Sequence, residues 1–135
     1  MSDGGVSPEV IVPSGMERIH EELGYAPAVR VGDLVFCAGQ VGRDEDLKVI
    51  HDPEAQFRAC WRNLERLLKG AGCGFEDVVD LVSYHVNLGT HYPLFKQVKN
   101  ELFPKGRAAW TAIGVSELSR PGLLVELKAT AVAGG

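Results

Sequence analysis

The sequence predicts an α+β fold, a two-layer sandwich in which two helices cover one face of a single mixed β-sheet. Two segments carry apolar residues at the spacing of one helical face. The remaining chain divides into short runs rich in β-branched and aromatic residues, which glycine and proline separate. In chain order the segments are β, β, β, α, β, α, β, β. Because helices and strands are interspersed, we expect them to share one core.

The N-terminal region predicts a tail followed by one short strand. Residues 1–8 are small and polar, which favours a disordered tail. Residues 9–12 (EVIV) form the first predicted strand, and Pro13, Ser14 and Gly15 end it. Residues 16–24 are polar, so they are expected to form a loop or a single helical turn.

A hairpin follows at residues 28–38. The runs 28–31 and 34–38 are β-prone, and only Gly32 and Asp33 separate them. Glycine supplies the positive φ that tight hairpin turns require. The two runs are therefore predicted to pair as antiparallel strands.

The clearest helix begins after Asp52, a side-chain cap that precedes Pro53 at the first helical position. Glu54 adds a negative charge near the positive end of the helix dipole. Gly70 and Gly72 end the helix. Its apolar stripe consists of Phe57, Cys60, Trp61, Leu64, Leu67 and Leu68.

The C-terminal half predicts three strands and a second helix. A strand at residues 75–88 is expected to lie under a helix, and residues 92–102 form that second helix, closed by the Pro104 region. Two further strands are predicted at residues 108–115 and 123–132. In the predicted second helix, the residues at helical spacing are Leu94, Phe95, Val98 and Leu102.

Composition indicates one globular domain spanning residues 1–135. Hydrophobic residues make up 45% and charged residues 24% of the chain. The net charge of −4 argues against nucleic acid as a partner, since phosphate binding needs clustered cations. No window is apolar enough for a membrane span and no export signal is evident, so a cytoplasmic protein is expected.

Cysteine and histidine spacing predicts neither a disulfide framework nor a metal site. The three cysteines, Cys37, Cys60 and Cys73, lack CxxC spacing and are expected to be reduced and buried. The four histidines show no paired metal spacing, and we expect neither metal nor cofactor. A proton-transfer role is considered only for His85 and His91, which lie near a strand end. The other two histidines are His20 and His51.

Oligomerisation follows from the predicted layers. Two helices on one face of the sheet leave the opposite face uncovered, and the chain has too few further elements to cover it. A second copy of the chain is the natural cover.

Four segments resemble motifs of one known family, the Rid or YjgF proteins. Residues 25–40 resemble the family's Y-S-Q-A followed by V-G-x-L-V-F-x-S-G-Q, and residues 52–64 resemble E-A-Q-T-R-Q-x-x-x-N-L. Residues 76–79 resemble D-D-V-V, and residues 121–127 resemble G-A-L-V-E-I. The resemblance covers residues 25–133, and several matches in the right order support the fold strongly.

This resemblance implies a homotrimer of chorismate-mutase-like topology, with ligand clefts between neighbouring subunits. Deaminases of the family hydrolyse enamines and imines of amino-acid breakdown, releasing ammonia and a keto acid. An arginine binds the substrate carboxylate, backbone groups near the S-G-Q turn orient the ligand, and a glutamate positions water. These roles suit the chemistry of guanidinium and carboxylate groups.

Several site residues carry over from the resemblance. Glu126 occupies the position of the water-handling glutamate; the alternative is a structural acid paired with Lys128, Arg107 or a neighbouring subunit. Tyr25 occupies the position of the cleft tyrosine, and its alternative is a half-buried interface residue. Gly39 matches the ligand-adjacent glycine. Ala38 replaces the usual serine, so a hydroxyl donor is absent there.

The chain departs from the family pattern at Trp110, which stands where the arginine is expected. Trp110 offers a flat apolar face and one donor, and we consider stacking on a planar ligand. Thr111 matches the adjacent Ser/Thr position. Lys96 stands where many deaminases have asparagine. Candidates for a replacement cation are Arg107, Arg43 and Arg120.

Two functions follow from these residues. The first is a small-molecule hydrolase of the enamine or imine deaminase type, with a substrate range shifted by Trp110. The alternative is a non-catalytic trimer that binds a metabolite. The resemblance also implies a third function, RNA cleavage or translation inhibition, which the acidic charge disfavours.

Overall fold

The computed structural model describes residues 7–133, which form one mixed sheet and two helices longer than a single turn. The predicted fold class is confirmed. Ser7 and Pro8 are exposed and have no regular structure, while the rest of the predicted tail lies outside the described residues. The strands are β1 Glu9–Ile11, β2 Ala28–Val31, β3 Leu34–Cys37, β4 Gln40–Val41, β5 Val78–Val86, β6 Ala109–Val115 and β7 Val125–Val132; the helices are α1 Pro53–Gly70 and α2 Leu88–Leu102.

The sheet has the order β1-β2-β3-β7-β5-β6, and β4 also pairs with β7. Only β5 and β6 run parallel among the described strands, because α2 connects them; the other pairs are antiparallel. The predicted hairpin forms between β2 and β3, with Gly32 at a φ of 60°. β4 was not predicted, since two residues carry no periodic signal.

The first helix forms as predicted and the second begins earlier. The Asp52 side chain accepts a hydrogen bond from the Ala55 N–H at 3.0 Å, which caps α1. α2 begins at Leu88 instead of residue 92, because Asn87 adopts a left-handed conformation (φ 55°) that turns the chain directly from β5 into the helix. No helix in residues 7–133 is long and apolar enough to cross a bilayer.

The structure contains two short helical turns, one in the polar segment at residues 16–24 and one at the start of the strand predicted at residues 75–88. Residues 16–24 contain a π-helical turn, Ile19–Leu23, which Gly24 ends at a φ of 80° with its N–H bonded to the Ile19 carbonyl. The predicted strand at 75–88 begins with a 3₁₀ turn, Phe75–Asp77. There the Asp77 carboxylate accepts a hydrogen bond from the Gly74 N–H at 2.8 Å. Local side-chain bonds of this kind compete with strand pairing.

The hydrophobic core lies between the two helices and one face of the sheet, called here the covered face. Every member of the predicted α1 stripe is buried. Trp61 stacks on Phe95 with ring centroids 5.9 Å apart and meets Phe75 edge to face at 5.8 Å. Each large side chain buried in this way contributes about 1.5–3 kcal/mol through the hydrophobic effect.

The opposite face of the sheet, called here the open face, is uncovered in the single chain. Strand side chains alternate between faces, and every second residue of β7 from Val125 to Ala131 is buried, whereas the residues between them are half-buried or exposed. Five large apolar side chains of this face are 38–52% exposed. They are Val10, Leu34, Phe36, Ile113 and Val132.

The three cysteines are buried and unpaired, as predicted. Burial raises the pKa of the Cys37 thiol to about 12 and also raises the pKa values of Cys60 and Cys73. Thiols held protonated in this way are poor nucleophiles.

Candidate functional site

Glu126 lies on β7 and projects from the open face. Its neighbours Val125 and Leu127 are buried in the core, so the Glu126 side chain must point the other way. Across the sheet Glu126 stands directly opposite Tyr84 on β5 and Val41 on β4. The acid within the apolar run is therefore a residue of the open face, and the apolar residues around it belong to the core.

The backbone at Gly39 packs against the Glu126 carboxylate. A Cβ atom added at Gly39 would collide with that carboxylate, so glycine lets the backbone and the Glu126 side chain approach closely in this position. Two hydrogen bonds hold the segment. The Ala38 N–H donates to the Pro27 carbonyl at 2.8 Å, and the Gln40 side chain donates to the Ala38 carbonyl at 3.1 Å. The segment expected to lie beside the ligand thus covers the acid.

The charge of Glu126 is under opposing influences. Burial raises the pKa of the Glu126 carboxyl, while the positive charges of Lys128 and Arg43 act to lower it. Lys128 lies two residues further along β7, and its Nζ donates to the Cys37 carbonyl at 3.2 Å. Within residues 7–133 Glu126 forms no ion pair. A structural ion pair with Lys128 or Arg107 is therefore absent from the described part of the single chain.

Arg43 is held between the loop after β4 and Tyr25. Its Nη2 donates to the Tyr25 hydroxyl at 3.2 Å. The Arg43 N–H donates to the Val41 carbonyl at 3.1 Å, which closes a tight turn at Gly42. Asn63 of α1 anchors this turn, because its amide nitrogen donates to the carbonyls of Val41 and Arg43 at 2.8 and 3.0 Å. The helix thus sets the position of the Arg43 backbone.

Trp110 lies on the covered face, away from Glu126 in the same chain. It pairs with Leu81, a core residue of β5, and its indole N–H donates to the Ser83 hydroxyl at 2.9 Å. The ring lies parallel to that of Tyr92 at 6.2 Å, and Lys99 Nζ is 4.4 Å from the ring centre. Within one chain the acid and the indole do not share a pocket.

The other predicted cations do not join Glu126. Arg107 donates from Nη2 to the Glu76 carbonyl at 2.7 Å, beside the start of β5. Arg120 is exposed and lines a groove of about 320 Å³ formed by the loop at 116–123. Lys96 is exposed on α2. Of the three replacement arginines considered, Arg43 is the one whose charge acts on Glu126.

Thr111 and the histidines also lie apart from the acid. Thr111 is exposed and pairs with Val82 at the edge strand β6. His85 is buried on the covered face, and burial lowers its pKa to about 4. His91 is half-buried, with its ring 6.2 Å from that of Phe57. Within residues 7–133, no group of three or more His, Cys, Asp or Glu is arranged to hold a metal ion.

The structure brings together five of the residues considered from the sequence: Tyr25, Ala38, Gly39, Arg43 and Glu126. With Tyr84 and Lys128, which were not predicted as site residues, they are called here the Glu126 site. Tyr84 reaches the site through strand register, and register cannot be derived from the separate segments of the sequence. Lys128 could have been found from the period-2 alternation of β7, which places it on the same face as Glu126.

Comparisons with known proteins agree with this architecture. The family model described as Endoribonuclease L-PSP matches residues 16–133. The RutC family protein YjgH of Escherichia coli (strain K12) is 37% identical over 110 residues, covering 81% of this chain and 84% of that protein. The 3-aminoacrylate deaminase RutC of Acinetobacter baylyi is 31% identical over 127 residues, covering 91% and 96%. A solved structure of protein YJGH superimposes with a TM-score of 0.86 at 35% identity, covering 94% of this chain and 97% of that one.

Proposed function

Since this chain belongs to the Endoribonuclease L-PSP family, we propose that it is a small-molecule hydrolase of the enamine and imine deaminase type. Its relatives include a 3-aminoacrylate deaminase and a human 2-iminobutanoate/2-iminopropanoate deaminase. The observation that carries the proposal is the Glu126 carboxylate, half-buried beneath Gly39 and without an ion pair in the described residues. Such a group is available for proton transfer.

The chemistry needs one group that both accepts and returns a proton. Water adds to the carbon of the C=N bond while Glu126 takes one of its protons, and Glu126 returns that proton to the nitrogen to give a carbinolamine. Glu126 then takes the hydroxyl proton as the C=O bond forms and gives it to the amine, so that the C–N bond breaks and ammonia leaves. An enamine first becomes the imine by gaining a proton at carbon and losing one from nitrogen. A carboxyl with a raised pKa suits this exchange at neutral pH.

The proposal includes assembly into a homotrimer through the open face. Its five exposed apolar side chains give a monomer an apolar patch that a second copy would bury. Edge strand β6 carries Trp110 on the covered face, so an indole can approach the Glu126 site only from another copy. We therefore place the ligand between subunits, and the protein in the cytoplasm, where its three buried thiols stay reduced.

The shifted substrate range rests on Trp110. An indole in place of a guanidinium removes the cation from β6, and its ring already contacts Tyr92 and Lys99. The same observation favours the second candidate function, a metabolite-binding trimer without catalysis. The two functions differ in whether Glu126 is needed for turnover.

Ammonia release tests the proposed function. Freshly generated 2-aminoacrylate and a set of aromatic imines are supplied to the wild type and to Glu126→Gln. We expect the substitution to slow release by about 100-fold or more, since general acid–base groups contribute on that scale. Glu21→Gln, an exposed acid on the π-helical turn, serves as the matched control and should behave as the wild type. Activity that is indifferent to Glu126, or absent from every compound, favours the binding protein.

A further inference from the structure

The arginines of this chain differ in how their charge is balanced. Arg18, Arg30 and Arg58 each pair with a carboxylate within residues 7–133. Arg43 has no such pair there, and its guanidinium donates to the neutral hydroxyl of Tyr25. A guanidinium has five donors, so Arg43 retains donors for an anion.

The position of Arg43 is prepared in advance of any ligand. Asn63 holds the turn that carries it, and the Tyr25 hydroxyl holds the guanidinium. Arg43 is a half-buried residue, and its hydrogen bond to Tyr25 lies at the exposed surface. A preorganised cation loses less conformational freedom when it binds a partner.

The acid and the cation belong to the same neighbourhood. β4 ends at Val41, which pairs with Glu126, and the turn at Gly42 leads directly to Arg43. Lys128 adds a second positive charge on the other side of Glu126 along β7. An acid flanked by two unneutralised cations can accommodate one further negative charge.

We propose that Arg43, held by Tyr25, binds the carboxylate of a small 2-oxo or 2-imino acid at the Glu126 site. The cation expected on β6 is supplied here by the loop after β4. The naming of an imino acid rests on the proposed function, but carboxylate binding does not. Arg43 is a specificity-determining residue in this proposal, and Lys128 contributes charge without a direct contact.

Binding of 2-oxobutanoate, a stable keto acid, tests the proposal by calorimetry. Its neutral counterpart 2-oxobutanamide is titrated in parallel. Arg43→Gln should weaken binding of the acid by roughly 10- to 100-fold, the scale of one charge-assisted bidentate contact, and should leave binding of the amide unchanged. Arg43→Lys should recover part of the loss. Tyr25→Phe should weaken binding of the acid several-fold, because it releases the guanidinium.

Three further arginine variants serve as controls. Arg62→Gln changes an exposed arginine on α1 and should bind both compounds as the wild type does. Arg107→Gln and Arg120→Gln test the competing cations. The proposal is overturned if either of these variants loses binding of the acid while Arg43→Gln keeps it. It is also overturned if the wild type prefers the amide or binds neither compound. Thermal unfolding of each variant checks that the fold is intact.

The two proposals fail separately. Binding that depends on Arg43 without any ammonia release supports the carboxylate site and refutes the hydrolase. Ammonia release that depends on Glu126, together with binding that does not depend on Arg43, supports the hydrolase and refutes the carboxylate site.

Discussion

The two faces of the sheet differ in whether their polar side chains have partners within the chain. On the covered face, polar side chains bond to one another: the Ser83 hydroxyl accepts from the Trp110 indole N–H at 2.9 Å and shares a hydrogen bond of 2.8 Å with His85. On the open face, Glu126 has no ion pair in the described residues and lies near Arg43. The covered face thus pairs most of its polar side chains within the fold, whereas the open face presents an acid that no cation of the described residues neutralises.

The two faces therefore predict different consequences of mutation. Changes on the covered face should reduce the free energy of unfolding, because they leave cavities or unpaired groups. Changes on the open face should alter activity, binding or assembly at little cost to the fold. The following experiments test this division, beginning with the largest expected effect on stability.

Trp61→Ala should have the largest effect on stability. The indole is completely buried and contacts Phe95, Phe75 and Phe103, so its removal leaves a cavity in the core. We expect the free energy of unfolding in urea to fall by about 3–5 kcal/mol. Val10→Ala, an exposed position, is the control and should cost less than about 1 kcal/mol. Equal effects at the two positions would contradict the assigned core.

Stability should also depend on pH through His85. Its ring is 1% exposed, lies edge to face with Phe95 at 4.6 Å, and shares a hydrogen bond of 2.8 Å with Ser83. Its Nδ1 is buried without a partner in the described residues. Burial lowers the pKa of His85 to about 4, so in acid the unfolded chain binds a proton that the folded chain excludes.

The sign of this effect follows from the lowered pKa. His85 is expected to cost no stability above about pH 6.5, the unfolded value, and to cost progressively more as pH falls toward 4, reaching about 3 kcal/mol. Urea unfolding of the wild type and His85→Gln between pH 4 and 8 measures the difference. The wild type should lose stability more steeply on acidification than the variant. Parallel curves would show that His85 does not titrate in this range.

Phe36→Glu should have the smallest effect on the folding of one chain and the clearest effect on assembly. Phe36 is 42% exposed on the open face, so its replacement removes little from the core. A charge placed there should prevent burial against a second copy. Light scattering should show a trimer for the wild type and a mass near 14.6 kDa for the variant. Arg62→Glu, on α1, should leave the mass unchanged; a monomeric wild type refutes the trimer.

Local sequence signals determined most elements of this fold. The cap at Asp52, the proline at the first helical position and the apolar stripe established α1 to its last residue, because each signal acts over a few neighbouring residues. Glycine between two β-prone runs determined the β2–β3 hairpin in the same way. The early start of α2 escaped prediction because a left-handed Asn87 depends on the approach of β5 as well as on its own side chain.

The sequence also predicted Glu126 and Gly39 as residues of one site, through the family resemblance and, for Glu126, through its position in an apolar run. Which groups surround that acid was decided only by the tertiary structure. Trp110 and Glu126 lie on opposite faces because Trp110 pairs with Leu81 of β5 and Glu126 with Tyr84, three residues further along the same strand. Arg43 approaches Glu126 because β4, only two residues long, pairs with β7. Strand pairing over such distances in sequence depends on the whole sheet, so no local pattern specifies it.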